Sequence, residues 1–236
     1  MTAPFGRRAR RRIWSVLAAG LCLVLAAALG WVFFAASGTP GARLVSYPDR
    51  GVAETGSINI VTAILMDYRG FDTLGEATVI LASVAAAAMI LGKPGVPRPD
   101  GTLGLLARQA LAVMLPLFFV FPVYVVLYGH ISPGGGFQGG VSLAVLVILI
   151  HVTFGYRFGQ ARIPLSLLSN AEYLGAFAFA TVGFLGILTG SAYLSNALLQ
   201  RMPSGGIIPL LNIIVGIKVA AGLSSMYLYL AGSEQS

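Results

Sequence analysis

Long apolar stretches without charged residues are the feature that most constrains the fold of this chain. A helix of about 20 apolar residues is long enough to cross the hydrocarbon core of a bilayer. The chain is 57% hydrophobic and 10% charged, whereas soluble domains carry roughly 25% charged residues. The sequence therefore predicts an all-α polytopic membrane protein of about six transmembrane helices. The predicted spans are Ile13–Ala36, Thr73–Gly92, Gln109–Gly129, Phe137–Tyr156, Tyr173–Ser195 and Ile207–Gly232.

The distribution of positive residues between these spans predicts the orientation. Lys and Arg are enriched in the cytoplasmic segments of membrane proteins. The N-terminal tail and the loops after the second and fourth spans hold ten of them, against three or four on the other side. Both termini are therefore predicted to be cytoplasmic. The residues are Arg7, Arg8, Arg10, Arg11, Arg12, Lys93, Arg98, Arg108, Arg157 and Arg162, against Arg43, Arg50, Arg201 and the borderline Arg69.

The basic tail directly precedes the first apolar run, so it is predicted to orient the chain and to touch anionic lipid headgroups. Nucleic acid is not an expected partner, although the net charge is +7. The run Ile13–Ala36 is longer than the apolar region of about 7–15 residues in a signal peptide, which favours a retained anchor. The single cysteine, Cys22, lies within this run, which excludes an internal disulfide and a cysteine-based metal site.

A Pro- and Gly-rich charged segment divides the chain. Residues 92–101 read GKPGVPRPDG, a composition that is incompatible with a continuous helix. The predicted regions are a basic cytoplasmic tail at 1–12, a two-helix module at 13–92, a linker at 93–104 and a four-helix domain at 105–236.

An acidic cluster lies at the start of the second predicted span. The segment from Asp67 to Glu76, DYRGFDTLGE, contains three of the eight acidic residues of the chain. Thr73 and Glu76 have the spacing of a capping box at a helix start, with Arg69 neutralising a neighbouring carboxylate. Alternatively, Asp72 and Glu76 lie four residues apart on one helix face, where two carboxylates can bind a hard cation or pass a proton.

A glycine-rich run separates the third and fourth predicted spans. Its five glycines within seven residues allow the backbone to turn sharply and to approach a neighbour closely. Gly134, Gly136 and Gly139 match a dinucleotide-binding fingerprint, but that motif follows a β-strand and this run lies between apolar spans. We interpret it as a packing turn on the outer side of the membrane, with a cavity-lining loop as the alternative. The run comprises His130, Ile131, Ser132, Pro133, Gly134, Gly135, Gly136, Phe137, Gln138, Gly139 and Gly140.

An isolated lysine, Lys218, lies in the middle of the sixth predicted span, with Asn212 six residues before it. A lysine at this depth usually pairs with a carboxylate or lines a hydrated path. His151 in the fourth span can relay protons, but a hydrogen bond to a neighbour also explains a lone histidine. Glu172, at the predicted start of the fifth span, is explained by the helix dipole.

These segments together resemble a known family. The run from Gly129 to Gly140 looks like the hallmark of MnhB, the B-type subunit of the multisubunit Mrp-type Na⁺/H⁺ antiporters, and the resemblance continues through Asn212-x-x-x-Gly216-Ile217-Lys218-Val219. Upstream, Glu54-Thr55-Gly56, Asn59–Leu65 and Asp67–Glu76 are similar to the E-type module. That module closes the large A-type subunit of Mrp antiporters and stands alone in related membrane-bound hydrogenases. The chain departs from the antiporter pattern because it joins this module to the B domain without the large antiporter-like part.

The resemblance implies a component of a large membrane complex that couples proton movement to Na⁺ movement. The implied partners are large antiporter-like subunits, small membrane subunits, lipid, Na⁺ and H⁺, and the implied location is the inner cell membrane of a bacterium. No nucleophile elbow or His/Cys ligand cluster occurs in the sequence, so neither a cofactor, a metal nor an independent enzymatic activity is expected. The resemblance places on the ion route Asp67, Arg69, Asp72, Thr73 and Glu76, together with Lys218 of the B domain.

Two alternatives stay open. One is a membrane-arm subunit of an energy-converting hydrogenase or a related redox-driven ion pump. The other is a structural scaffold that seals the gaps between transport subunits.

Overall fold

The protein is an assembly of α-helices. The computed structural model describes residues 47–92, 103–188 and 205–233, and the single positions Gly20, Leu23, Ala27 and Leu194. These residues contain eight α-helices, one π-helical segment and no β-strand. The helices are α1 (Tyr47–Thr55), α2 (Ile60–Ala63), α3 (Gly70–Leu91), α4 (Leu105–Leu127), α5 (Gly136–Phe154), α6 (Tyr156–Arg162), α7 (Leu165–Leu188) and α8 (Ile208–Ser233), and the π-helical segment is Ile64–Tyr68.

Four of the described helices, α3, α4, α5 and α8, are long and apolar enough to cross a membrane. Their bounds agree within four residues with the second, third, fourth and sixth predicted spans. The fifth predicted span overlaps α7, but α7 begins eight residues before the predicted start at Tyr173. The first predicted span lies outside the described residues except for three single positions, and so does most of the predicted linker.

Glycine and proline separate several of these helices. Gly92 follows α3 with a φ of 72°, and Gly155 lies between α5 and α6 with a φ of 90°. Both values fall in the left-handed region, which residues with a β-carbon rarely adopt. Pro164 precedes α7, where its carbonyl oxygen accepts a hydrogen bond from the Leu168 amide at 3.2 Å. Proline favours a helix start because its φ is already helical and its missing N–H has no partner there in any case.

The helix α8 lies at the centre of the described bundle. Of its most apolar stretch, 61% is buried, against 11% for α3, 17% for α4 and 33% for α5. It packs against all three of these helices and against α7, and the residues from Tyr47 onward form one compact unit. Polar side chains on α8 are therefore enclosed by protein. The core residues around it are Met66, Phe179, Leu194, Ile208, Leu211, Val215 and Val219.

Candidate ion-path residues

The glycine run lies where α5 packs against α8. A β-carbon on Gly136 would lie 2.4 Å from the Asn212 carbonyl oxygen, and one on Gly140 would lie 2.7 Å from the Gly216 carbonyl oxygen. No side chain fits at these distances, so the two helices are in backbone contact. The Asn212 side chain fixes the contact, because its Oδ1 accepts a hydrogen bond from the Gly136 amide at 3.1 Å.

The connection between α4 and α5, residues 128–135, is here called the glycine turn, and it is held by the segment that leads into α2. Asn59 Nδ2 donates to the carbonyl oxygens of Gly129, Ser132 and Gly134 at 2.8, 2.9 and 3.2 Å. Thr62 Oγ1 donates to the Gly129 carbonyl oxygen at 2.8 Å. Non-helical carbonyls near a membrane need such protein partners. The E-type motif and the glycine run therefore form one hydrogen-bonded unit, which was not predicted from the sequence.

The acidic cluster (Asp67, Arg69, Asp72, Thr73 and Glu76) extends from the π-helical segment into α3. The predicted capping box is wrong. The helix α3 begins at Gly70 with Arg69 as its N-cap, so Thr73 lies inside the helix, where its Oγ1 donates to the Leu65 carbonyl oxygen at 2.7 Å. The physical reason is the π-helical segment, which leads almost directly into α3 and starts it three residues before Thr73.

The carboxylates of Asp72 and Glu76 lie on a face of α3 that points away from the other described helices. Both residues are exposed, whereas Asp67 is partly buried. The side chain of Asp72 is 44% exposed and forms an ion pair with Arg69, whose side chain is 54% exposed. Charged groups on a membrane-spanning helix rarely face lipid. This face of α3 is therefore suited to water or to another protein.

Lys218 and Glu172, here called the buried pair, lie between α3, α7 and α8. Their exposed fractions are 0% and 1%, and the two charges interact electrostatically. Lys218 Nζ donates to the Ala77 carbonyl oxygen of α3. Two glycines make room for the pair. A β-carbon on Gly175 would lie 2.8 Å from Lys218 Cβ, and one on Gly222 would lie 2.8 Å from Glu172 Oε1.

Glu172 is the site residue that sequence reasoning missed. The sequence pattern predicts a span that starts at Tyr173, which puts Glu172 at a helix N-terminus. Because α7 begins at Leu165, Glu172 instead lies in its third turn and is enclosed. Two signals point to this arrangement. Pro164 is a helix-start residue, and polar residues recur at every third position from Ser166 to Glu172.

The two histidines of the chain are both buried. His151 Nδ1 lies 2.8 Å from the Val147 carbonyl oxygen, which agrees with the interpretation of this residue as hydrogen-bonded to a neighbour. In the glycine turn, burial lowers the pKa of His130, and a hydrogen bond with the Leu127 backbone opposes this shift. Within the described ranges, no group of three or more His, Cys, Asp and Glu residues is placed to hold a metal ion.

Both parts of the chain match known families. Residues 106–225 match the family described as a domain related to the MnhB subunit of Na⁺/H⁺ antiporter. The chain belongs to this family. Residues 7–100 match the MbhE family, described as the E-type subunit of MBH. The double resemblance predicted from the glycine run and the E-type motif is therefore confirmed.

Three curated relatives differ in how much of their length this chain covers. An uncharacterised protein of Methanocaldococcus jannaschii is 34% identical over 203 residues, which cover 71% of this chain and 74% of the relative. The A/B-type subunit of a probable K⁺/H⁺ antiporter from Rhizobium meliloti is 28% identical over 197 residues, covering 71% of this chain but 19% of the relative. The B-type subunit of the Na⁺/H⁺ antiporter from Alkalihalophilus pseudofirmus is 33% identical over 80 residues, which cover 34% of this chain and 55% of the relative. The chain thus spans only part of both antiporter subunits.

Two solved structures contain a chain with this fold. One is the membrane-bound sulfane sulfur reductase (MBS), an archaeal respiratory membrane complex, with a TM-score of 0.68, 27% identity and coverage of 92% of this chain and 98% of that one. The other is the Mrp complex from Dietzia sp., with a TM-score of 0.67, 22% identity and coverage of 95% of this chain and 26% of that one. The protein is therefore a multi-pass membrane protein whose relatives belong to multisubunit complexes.

Proposed function

We propose that the protein is a membrane subunit of a multisubunit Na⁺/H⁺ antiporter, and that it contributes to the ion pathway and to assembly. The match to the MnhB-related family supports this proposal, as do the two antiporter subunits among its relatives. The structural observation that carries it is the exposed pair of carboxylates on α3. Oxygen ligands and proton acceptors at membrane depth are what an ion route requires.

The exposure of these carboxylates supports a route along the outer face of α3. Asp72 and Glu76 line a Na⁺ or proton passage between α3 and a neighbouring subunit, and Arg69 adjusts the charge of Asp72 through its ion pair. Thr73 bonds to the Leu65 carbonyl oxygen near the start of α3, and the partly buried Asp67 lies in the π-helical segment before it; both belong to the proposed route. Lys218 bonds to the Ala77 carbonyl oxygen of the same helix and is a second, buried member of the proposed ion pathway. The neighbouring subunits that complete this ion pathway are large antiporter-like subunits and small membrane subunits.

The topology follows from the charge distribution. The chain crosses the inner membrane of a bacterium six times with both termini in the cytoplasm, and its regions are the tail 1–12, the E-type module 13–92, the linker 93–104 and the B domain 105–236. A reporter fused to the C-terminus tests the orientation. Activity of a cytoplasm-specific reporter is expected, and activity of a periplasm-specific reporter would contradict it.

Glu76→Gln tests the proposed function. In the assembled complex, this change should abolish most Na⁺-dependent proton movement in inverted membrane vesicles, because it removes a charge from the passage and leaves the shape of α3 unchanged. Ser83→Ala on the same helix is the matched control, since Ser83 is exposed and donates to the Val79 carbonyl oxygen of its own helix. Transport at the control level in Glu76→Gln would contradict the proposal and favour a scaffold role.

A second candidate function is a component of a redox-driven ion pump. The observation that favours it is the near-complete coverage of the MBS chain, which shows that the joined E-type and B parts occur there in one polypeptide of similar length. The purified native complex distinguishes the two machines. An antiporter is expected to lack iron–sulfur absorption, whereas a redox-driven pump carries iron–sulfur subunits and consumes a reductant.

A further inference from the structure

A line of polar and small residues runs along the contact between α7 and α8. On α8, Lys218 is followed at intervals of four, three and four residues by Gly222, Ser225 and Tyr229, a spacing that keeps them on one helix face. On α7, Gly175 contacts Lys218 and Glu172 contacts Gly222, and Ser169 precedes Glu172 by three residues. We call this line the polar seam, and it comprises Ser169, Glu172 and Gly175 of α7 with Lys218, Gly222, Ser225 and Tyr229 of α8.

One end of the polar seam opens into a cleft of about 610 Å³. Its polar lining includes Ser169 and Tyr229 of the seam, together with Ser166 of α7 and Tyr156 and Gln160 of α6. Gln160 Nε2 donates to the Tyr156 hydroxyl at 3.2 Å, and burial raises the pKa of Tyr156 while this hydrogen bond lowers it. The cleft therefore offers a row of hydroxyl and amide groups that bind water, on the side that the charge distribution assigns to the cytoplasm.

Exposure falls steadily from the cleft to the buried pair. Ser166 is exposed, Ser169 is partly buried and Glu172 is 1% exposed. Glu172 lies three residues beyond Ser169, which corresponds to about 4.5 Å along a helix at 1.5 Å per residue. On α8, the buried Ser225 lies between Glu172 and Tyr229 in this order, and its Oγ has no partner among the described residues. A single helical turn thus separates the buried carboxylate from the cleft lining.

The buried pair lacks the geometry of a purely structural ion pair. Such a pair offsets the loss of hydration by direct, hydrogen-bonded contact. Lys218 Nζ donates to the Ala77 carbonyl oxygen, and within the described part of the chain no group bonds to Glu172 Oε1. The charged group that faces Glu172 is Lys218 of α8, while α3 presents Ala77 and Ile80 there. The carboxylate is left available to accept a proton.

We propose that the buried pair is a proton-exchange site, and that protons reach Glu172 from the cleft along the polar seam. The carboxylate oxygen of Glu172 takes a proton from a water molecule in the cleft and returns it by the same route. Lys218 compensates the negative charge while Glu172 is ionised, and its bond to α3 links the charge state of the pair to the helix that carries Asp72 and Glu76. This coupling to transport rests on the proposed function, whereas the proton exchange itself does not.

The exchange is measured on the purified complex by infrared difference spectroscopy during acidification. The carbonyl band of a protonated carboxylic acid is expected in the wild type, is lost in Glu172→Gln and persists at a shifted frequency in Glu172→Asp. A band that is unchanged in Glu172→Gln would overturn the proposal. If the band behaves as expected but the wild-type complex moves no Na⁺, the proposed function fails and the exchange site stands.

Access through the cleft is measured by cysteine labelling in a Cys22→Ser background. A membrane-impermeant thiol reagent should label Ser169→Cys from the cleft side. It should not label Leu174→Cys, which lies on the apolar outer face of α7. Arg162→Cys on α6 is the positive control for reagent access. Labelling of the control without labelling at position 169 would overturn the proposed route.

A double variant separates proton exchange from a structural role. Replacing a buried ion pair by neutral residues often preserves stability, whereas removing one partner does not. Glu172→Gln with Lys218→Met is therefore expected to assemble and to lose Na⁺-dependent proton movement. Wild-type transport in the assembled double variant would show that the pair is structural and would contradict the proposal.

Discussion

The chain carries two groups of ionisable residues at membrane depth, and they differ in what surrounds them. The acidic cluster presents Asp72 and Glu76 on the outer face of α3, whereas Lys218 and Glu172 are enclosed between three helices of the same chain. Lys218 bonds to the carbonyl oxygen of Ala77, the buried residue that directly follows the exposed Glu76 on α3.

This difference indicates a division of roles. An enclosed pair can act within one polypeptide, because its counter-charge and its access route belong to the same fold. A carboxylate on the outer face of a membrane helix needs a neighbouring protein or water to complete its surroundings. Under the proposed function, the acidic cluster therefore needs a neighbouring subunit or water to complete it, whereas the counter-charge of Glu172 lies in the same chain.

Removal of one charge from each group tests this difference most strongly. Lys218→Met leaves Glu172 buried without a counter-charge and should lower the free energy of unfolding by roughly 3–5 kcal/mol at a pH where Glu172 is ionised, and by less where Glu172 takes up a proton. Arg69→Met removes a partner from an exposed ion pair and should change it by about 0.5 kcal/mol or less. Denaturant unfolding of the solubilised chain measures both values. Equal losses would show that the two groups are equally enclosed.

A pair of glycine substitutions sharpens the comparison at the level of packing. Gly136→Ala places a methyl group 2.4 Å from the Asn212 carbonyl oxygen, and such overpacking usually costs about 1–3 kcal/mol. A β-carbon on Gly75, beside Glu76, meets no atom within 4 Å. Gly75→Ala should therefore stabilise α3 by up to about 1 kcal/mol through helix propensity. The unfolding temperatures of the two variants are measured. If Gly75→Ala destabilised the protein and Gly136→Ala did not, the face of α3 that carries Glu76 would be packed rather than exposed.

The smallest expected effect is a dependence of folding stability on pH, which comes from His130, the buried histidine of the glycine turn. Burial lowers the pKa of His130 below its ordinary value of 6.5. Between the lowered pKa of the folded state and the ordinary pKa of the unfolded state, the unfolded chain binds more protons than the folded chain. The stability that neutral His130 contributes is therefore fully present above pH 6.5 and is lost as the pH falls below that value. The unfolding midpoint of His130→Asn should depend less on pH in this range. An unchanged pH dependence would show that other groups cause it.

The helices could be predicted from the sequence more completely than the environment of their side chains. Apolar runs locate α3, α4, α5 and α8 within a few residues because membrane helices need uniform apolar length. Which face of each helix points to lipid and which to the protein core is hard to predict from the sequence, because both surroundings are apolar and select the same residue types. The exposure of Glu76 could not be foreseen for this reason. The position of Glu172 inside α7 was indicated by Pro164, but its enclosure against α3 and α8 was not.

Local bonding explains the remaining errors. Thr73 has a capping-box pattern, but the π-helical segment before α3 supplies the helix start, and a break of this type has no clear sequence signature. The hydrogen bonds from Asn59 to the glycine turn join residues that are 70 to 75 positions apart. Such contacts depend on the tertiary arrangement, so each motif was visible in the sequence while their association was not.

The bonds from Asn59 and Thr62 to the glycine turn also constrain the biogenesis of the protein. The turn receives its partners from a segment that is synthesised 70 residues earlier, which at 5–20 residues per second corresponds to roughly 4–14 s of translation. During that interval the amide of Asn59 and the hydroxyl of Thr62 have no carbonyls of the turn to bind. These bonds can therefore form only after the glycine turn has been synthesised, so the packing of α2 against the turn is a late step in the synthesis of the chain.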